Sequence, residues 1–256
     1  MRDILEAVAA GELSPAAAEA ELAGYATDDA GRFDAAREHR SGVPEAVYGT
    51  GKTTAEICSL VETALETTGR AIATRLTIED ANAVRSALRP AFSGTLSFDE
   101  RAGVLRAHAE DFERRDLDAT VGIVTAGTAD GGPAGEAAAI ASEMGATVER
   151  IDDVGVAGIH RLFDSLEDLR ALDVLIVAAG REGALPTVIA GLVDVPVIAL
   201  PIASGYGVGG DGEAALFGML QSCTALTTVN IDAGFVAGAQ AGLIARRLHS
   251  ARNRQE

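Results

Sequence analysis

From Ala119 to the end, short apolar runs alternate with helical stretches, and this alternation constrains the fold more than any other feature of the chain. Strands are expected at 120–125, 147–151, 174–178, 197–200 and 228–231, with helices at 132–144, 158–171, 185–193, 212–222 and 235–248. The strand segments read as continuous apolar runs rather than alternating ones. That pattern means burial on both faces, hence a parallel sheet covered by helices. Five such strands predict an α/β fold with a flavodoxin-like doubly wound parallel sheet.

A smaller α/β domain is expected ahead of it. Its elements are a helical stretch over 3–25 broken at Ser14-Pro15, a charged segment over 27–42, and strands at 43–48, 71–74 and 94–96. Helices are expected at 54–68 and 78–88. Ser14-Pro15 pairs an N-cap residue with a proline at the first helical position. Composition changes at Asp116-Leu117-Asp118, which predicts two domains, 1–118 and 119–256.

Hydrophobic residues make up 48% of the chain, with 4% aromatics and no Trp, so the core is built from Ala, Val, Leu and Ile. The net charge is −17, and Lys52 is the only lysine. Neutralising a phosphate backbone needs clustered cations, so a nucleic-acid partner is excluded. An acidic, lysine-poor surface fits a halophilic source with a salt-rich cytoplasm that screens self-repulsion. A GC-rich genome also favours Arg over Lys. Cys58 and Cys223 are too few for a disulfide framework, which points to a reducing cytoplasm. The N-terminus lacks the charged-then-apolar pattern of a signal peptide. No stretch approaches the about 20 apolar residues that span a membrane. A soluble cytoplasmic protein is the expectation.

Ligands of an open parallel sheet sit at the carboxyl ends of its strands. Three of those ends are glycine-rich. Thr125-Ala126-Gly127-Thr128-Ala129-Asp130-Gly131-Gly132 leads straight into a helix, whose free N–H groups favour an anion such as a phosphate. Asp130 is equally a plain N-cap. Gly180-Arg181-Glu182-Gly183 places a carboxylate where it can bind metal or move a proton, or a solvated charge pair on a loop. The segment 201–212, through Ser204-Gly205-Tyr206-Gly207, reads as a lid over a substrate or as an exposed crossover. His160-Arg161 offers an acid–base group or a surface histidine. Gly49-Thr50-Gly51-Lys52-Thr53 suggests a P-loop, but the first glycine of that motif falls on Ala46, so the motif fails. A short glycine loop with one lysine, leading into a helix, still suits a phosphate. Neither cysteine has a His or Cys partner at zinc-ligand spacing. Cys223 follows an apolar helix and precedes a short strand, which suggests a thiol near the site, acting as a nucleophile or packing.

The C-terminal half resembles phosphoribosylaminoimidazole carboxylase. The features that match are the loop ending in Asp130, the His160-Arg161 pair, Gly183-Ala184-Leu185-Pro186, and the apolar run 195–201. That family lacks a counterpart of Cys223 and is normally only the C-terminal half. The whole chain, over roughly 30–248, more closely resembles the LarB family of pyridinium-3,5-biscarboxylic acid mononucleotide synthases. These enzymes begin biosynthesis of the nickel-pincer nucleotide cofactor of lactate racemase. The residues carrying this resemblance are the charged block 32–45, Tyr48-Gly49-Thr50-Gly51-Lys52-Thr53 and the Asp130 loop. They continue with 153–162, Glu182 to Pro186, Gly205-Tyr206-Gly207, and Ser222-Cys223 followed by 230–235. Arg181 stands where the family pattern has Met, and Ala233 where it has Asn.

The resemblance implies carboxylation of nicotinic acid adenine dinucleotide at ring C5, with CO2 or bicarbonate as co-substrate, and cleavage of its phosphoanhydride to release AMP. It implies Cys223 as a transient nucleophile at ring C4, since the electron-poor pyridinium does not attack CO2 unaided. Asp130 and Glu182 are the implied carboxylates for proton removal and, with Mg2+, anhydride cleavage. No organic cofactor is implied. Substrate contacts are assigned to Gly127, Thr128, Gly131, His160, Arg161, Gly183 and Ser222. Lys52, with Arg37, marks a second ligand-contacting or assembly surface. A homo-oligomer is implied, an octamer by the related fold. The alternatives are phosphoribosylaminoimidazole carboxylase itself, which would not need residues 1–118, and a non-catalytic nucleotide-binding module.

Overall fold

The structure, a computed structural model, describes residues 2–28, 30–88, 92–204 and 208–254, the side chains of residues 2 and 3 excepted. It divides into two compact units, Met1–Glu113 and Arg114–Glu256. The Leu117 N–H donates to the Gly145 carbonyl, and Leu117 is buried in the second unit's core. The segment just before Ala119 therefore packs with the second unit.

The first unit begins with helices α1 (Arg2–Ala10) and α2 (Pro15–Ala23). As expected, Ser14 caps α2: its Oγ accepts the Ala17 N–H, with Pro15 at the first helical position. A hairpin of β1 (Ala26–Asp28) and β2 (Gly31–Phe33) follows, then α3 (Arg37–Ser41), β3 (Val47–Tyr48), α4 (Thr54–Thr68) and β4 (Arg70–Thr74). The unit closes with α5 (Ile78–Leu88), β5 (Gly94–Asp99) and β6 (Val104–Ala109). The sheet order is β3-β4-β6-β5, with only β3 and β4 parallel. Strand β6 was not expected and β5 runs past the expected 94–96, and two further features depart from the sequence reading. The charged segment folds back as the β1–β2 hairpin, because Asp28 Oδ1 accepts the N–H groups of Ala30 and Gly31 and so closes the turn. The expected strand over 43–48 keeps only two residues, since only Val47 and Tyr48 find a pairing partner.

The second unit runs β7 (Thr120–Thr125), α6 (Gly131–Glu143), β8 (Thr147–Ile151), α7 (Ile159–Asp164), α8 (Leu166–Ala171) and β9 (Val174–Ala179). It continues with α9 (Ala184–Ala190), β10 (Val197–Pro201), α10 (Glu213–Leu220), β11 (Thr227–Thr228) and α11 (Gly234–Arg252). All five strands are parallel, in the order β11-β10-β9-β7-β8. This is the flavodoxin-like order, reversing direction between β7 and β9. One face carries α6 and α11, where Val121, Ile123, Ile176 and Leu200 meet Ala134, Ala137 and Ala241. The other face packs Leu162, Leu169, Leu185 and Met219 against Leu175, Val177 and Ala199. The apolar runs therefore bury both faces, except in β8. That edge strand exposes Thr147, Glu149 and Arg150, so it was not a fully buried run. The helix expected over 158–171 is split at Ser165, and β11 is shorter than expected. Among the described residues no helix is long and apolar enough to cross a membrane.

Candidate active site

The order reversal places the carboxyl ends of β7 and β9 side by side, and a cleft of about 510 Å3 opens there. Its walls are Ala126, Gly127, Ala129 and Asp130 after β7, Gly155, Val156 and Ala157 after β8, Gly180, Arg181 and Glu182 after β9, and Ser204 after β10. The cleft is thus apolar and glycine-lined, with two carboxylates and one guanidinium.

Asp130 is buried, at 5% exposure. Its side chain does not cap α6. It turns back instead: Oδ2 accepts the Gly127 N–H at 2.8 Å, and the Ala126 and Gly180 N–H groups also face the carboxylate. One carboxylate therefore closes the β7 loop on itself at the floor of the cleft, beside the Gly180 backbone of the β9 loop. Burial pushes its pKa above the usual carboxylate value, against the pull of those three backbone donors. Glu182 is exposed on the cleft wall. Gly183, in the left-handed region at φ 66°, turns the chain there into α9.

The β8 wall is anchored by Thr125, whose Oγ1 donates to Asp152 Oδ1 at 2.9 Å and accepts the Asp153 N–H at 3.1 Å. Arg161 clips the same loop through Asp153 at 2.6 Å. A Cβ at Gly155 would lie 2.5 Å from the Ala126 carbonyl oxygen, so only glycine lets this wall approach β7 so closely. Sequence reasoning missed Thr125 and Asp152. Their signal was a hydroxyl ending an apolar strand opposite an Asp ending the next.

The structure brings Gly127, Asp130 and Glu182 together around the cleft. Thr128 and Gly131 flank Asp130 in the 3-10 turn and the start of α6, and Gly183 adjoins Glu182. His160 and Arg161 sit on α7, off the cleft lining; His160 is exposed, and Arg161 is held by Asp153. Gly205-Tyr206-Gly207 lies outside the described residues, and Ser204 is the part of the expected lid that reaches the cleft.

Within one chain, Cys223 is not among the residues that line the cleft. Helix α10 leaves the carboxyl end of β10 and runs back, so residues after it approach the amino end of β11. Thr224 accordingly lies beside Gly191, which follows α9. Cys223 is exposed and does not line the cleft. Ser222 holds this turn, its Oγ 2.7 Å from Thr224 Oγ1 and accepting the Thr224 N–H.

In the first unit, Lys52 donates to the Tyr48 carbonyl. The N-terminus of α4 carries its own anion: Glu56 accepts the Thr53 N–H and hydroxyl in a capping box. A phosphate at that helix end would meet Glu56, which weakens the phosphate-loop expectation. Arg37 pairs with Glu45 at 2.8 Å, Arg40 with Asp34 at 2.6 Å, and the buried Arg70 with Glu38. Much of the charged block is thus internally paired. Cys58 is packed against the first unit's core, and burial, with Glu62 and Asp80 nearby, pushes its thiol pKa up, which disfavours the thiolate.

Among the described residues no three His, Cys, Asp or Glu converge as a metal cluster. Magnesium is often held by one or two carboxylates together with substrate phosphates. Glu182 fits that mode, whereas Asp130 is committed to backbone donors.

Comparison with known proteins agrees with this architecture. Residues 120–255 match the family described as AIR carboxylase, which makes the second unit a carboxylase-type α/β domain. Residues 25–109 match the LarB/PurE-like N-terminal domain. With both domains in one chain, the protein belongs to the LarB family, with a PurE-like C-terminal half. It is 41% identical over 223 residues to the uncharacterized protein MJ0165 of Methanocaldococcus jannaschii, covering 85% of each chain. Among solved structures it is similar to the PurE of Treponema denticola, at 24% identity and a TM-score of 0.40, over 52% of this chain and 80% of that one.

Proposed function

We propose that the protein carboxylates nicotinic acid adenine dinucleotide at ring C5 and cleaves its phosphoanhydride, giving pyridinium-3,5-biscarboxylic acid mononucleotide and AMP. The observation that carries this reading is the pairing of a LarB-type N-terminal domain with a carboxylase-type domain in one chain. A carboxylase of purine synthesis would leave residues 25–109 without a task.

In this reading the pyridine ring lies in the cleft. The Cys223 thiolate adds to C4, forming a C–S bond, and the electron pair moves onto the ring nitrogen. The resulting enamine is nucleophilic at C5 and attacks the carbon of CO2. Glu182 then takes the C5 proton, and the freed pair restores aromaticity as the C–S bond breaks and the thiolate leaves. The small apolar walls at Ala126, Ala129 and Val156, with Ser204 at the rim, keep water from CO2. Magnesium held by Glu182 and the phosphates would polarise the anhydride for attack by a water molecule, whose oxygen bonds to one phosphorus as the P–O–P bond breaks. Asp130 holds the β7 loop in place through the Gly127 N–H rather than moving a proton.

Because Cys223 does not line the cleft of its own chain, the adduct needs a homo-oligomer in which one copy offers Cys223 to the cleft of another. The same observation favours the second reading, a phosphoribosylaminoimidazole carboxylase that uses no thiol. Two variants separate them. Cys223→Ala should abolish carboxylation with the fold retained. Glu182→Gln should lower turnover by roughly 10²–10⁴-fold, the usual loss for a general base. Undiminished turnover in Cys223→Ala would sink the adduct and favour the purine carboxylase.

A further inference from the structure

Among the described residues lining the cleft, Arg181 carries the one positive charge, set in a chain of net charge −17. It faces the cavity beside Glu182, in the turn between β9 and α9. Its backbone is in the left-handed region, at φ 55°. A non-glycine residue there is strained, while glycine adopts the conformation freely. Strain of this kind persists where the surroundings hold it, and it gathers at ligand-binding sites.

We propose that Arg181 is a substrate-binding and specificity-determining residue, whose guanidinium receives an oxyanion of the nucleotide bound in the cleft. The proposal rests on the nucleotide reading given above. It follows from the cleft's composition. Apart from Arg181, the described residues of the walls offer an anion only backbone N–H groups and the Ser204 hydroxyl, and two carboxylates repel it. A guanidinium supplies a fork of donors that matches a carboxylate or a phosphate. Two oxyanions of the dinucleotide have this chemistry, the ring carboxylate and the phosphoanhydride.

The test is calorimetric titration of the full-length protein with nicotinic acid adenine dinucleotide and with its amide counterpart, NAD+. Wild type is compared with Arg181→Gly, Arg181→Met and Arg181→Lys. Arg181→Gly guards against misfolding, since it relieves the backbone strain and should melt no lower than wild type. The expected result is binding weakened at least about tenfold in Arg181→Gly and Arg181→Met, the scale of one charged hydrogen bond. Arg181→Lys should keep a substantial part of the affinity. A loss confined to the acid dinucleotide assigns Arg181 to the ring carboxylate. An equal loss with both assigns it to the phosphates. Wild-type affinity in Arg181→Gly and Arg181→Met overturns the proposal while the nucleotide reading stands. Failure of wild type to bind either dinucleotide overturns both.

Discussion

At the scale of the residue, Asp130 shows how position overrides type. Its place before a helix suggests an N-cap, and the family resemblance implies a carboxylate that removes a proton or holds Mg2+. In the structure it is buried and its Oδ2 accepts the Gly127 N–H of its own loop. Its folded pKa lies above the unfolded value of 3.8. The native state therefore binds more protons than the unfolded state between those two values, and stability falls as pH rises through that window. Above it, the full cost of holding a buried charge remains. Asp130→Asn keeps an acceptor oxygen and removes the charge. Its melting temperature relative to wild type should be highest at neutral pH, and the advantage should shrink as the pH drops toward 3.8. A difference that does not change with pH would show that burial of the charge is not what costs stability. The two cysteines make the same point. Burial and nearby acids push the Cys58 thiol pKa up, whereas Cys223 is exposed.

At the scale of the element, the closest packing in the second unit is between α6 and α11. A Cβ on Gly238 would lie 2.4 Å from the Ala137 carbonyl oxygen and 2.9 Å from Ile140 Cβ. Two effects compete in Gly238→Ala. Helix propensity favours alanine by about 1 kcal/mol, whereas overpacking a fixed backbone contact costs about 1–3 kcal/mol. The obstructing atom is main chain, so overpacking wins and the variant should unfold at lower denaturant. An unchanged or higher midpoint would mean that the helices can part without cost. Elements written in local chemistry were legible in the sequence. The residues 54–68 and 78–88 form helices α4 and α5 as read, because a capping threonine and a stopping glycine bracket the first and apolar spacing marks the second. Helix α2 was set by Ser14 and Pro15. Strand β6 was missed because its residues, Val104-Leu105-Arg106-Ala107-His108-Ala109, carry no turn signal beyond one glycine and owe their state to pairing with both β4 and β5. The cleft residues after β7 and β9 were legible because a parallel sheet exposes those ends by rule. The place of Cys223 was not, because it depends on the direction in which α10 crosses the sheet.

At the scale of the whole molecule, the charge and the domain pairing frame the account. The net charge of −17 argues against a nucleic-acid partner, and the N-terminal domain separates this family from a carboxylase domain standing alone. If Cys223 serves a neighbouring copy, two inactive variants should rescue each other. Mixing Cys223→Ala with Glu182→Gln chains, dissociated and reassembled together, should restore turnover, because some clefts regain an intact Glu182 and an intact Cys223. No recovery in hybrids shown to have formed would place both groups in one chain's site. The most direct measurement is mass spectrometry of the products after the protein, in high salt, meets nicotinic acid adenine dinucleotide, magnesium and isotopically labelled bicarbonate. The account predicts AMP and a pyridinium mononucleotide carrying one additional, labelled carboxyl group. An intact dinucleotide, with the protein shown to be folded, would contradict it.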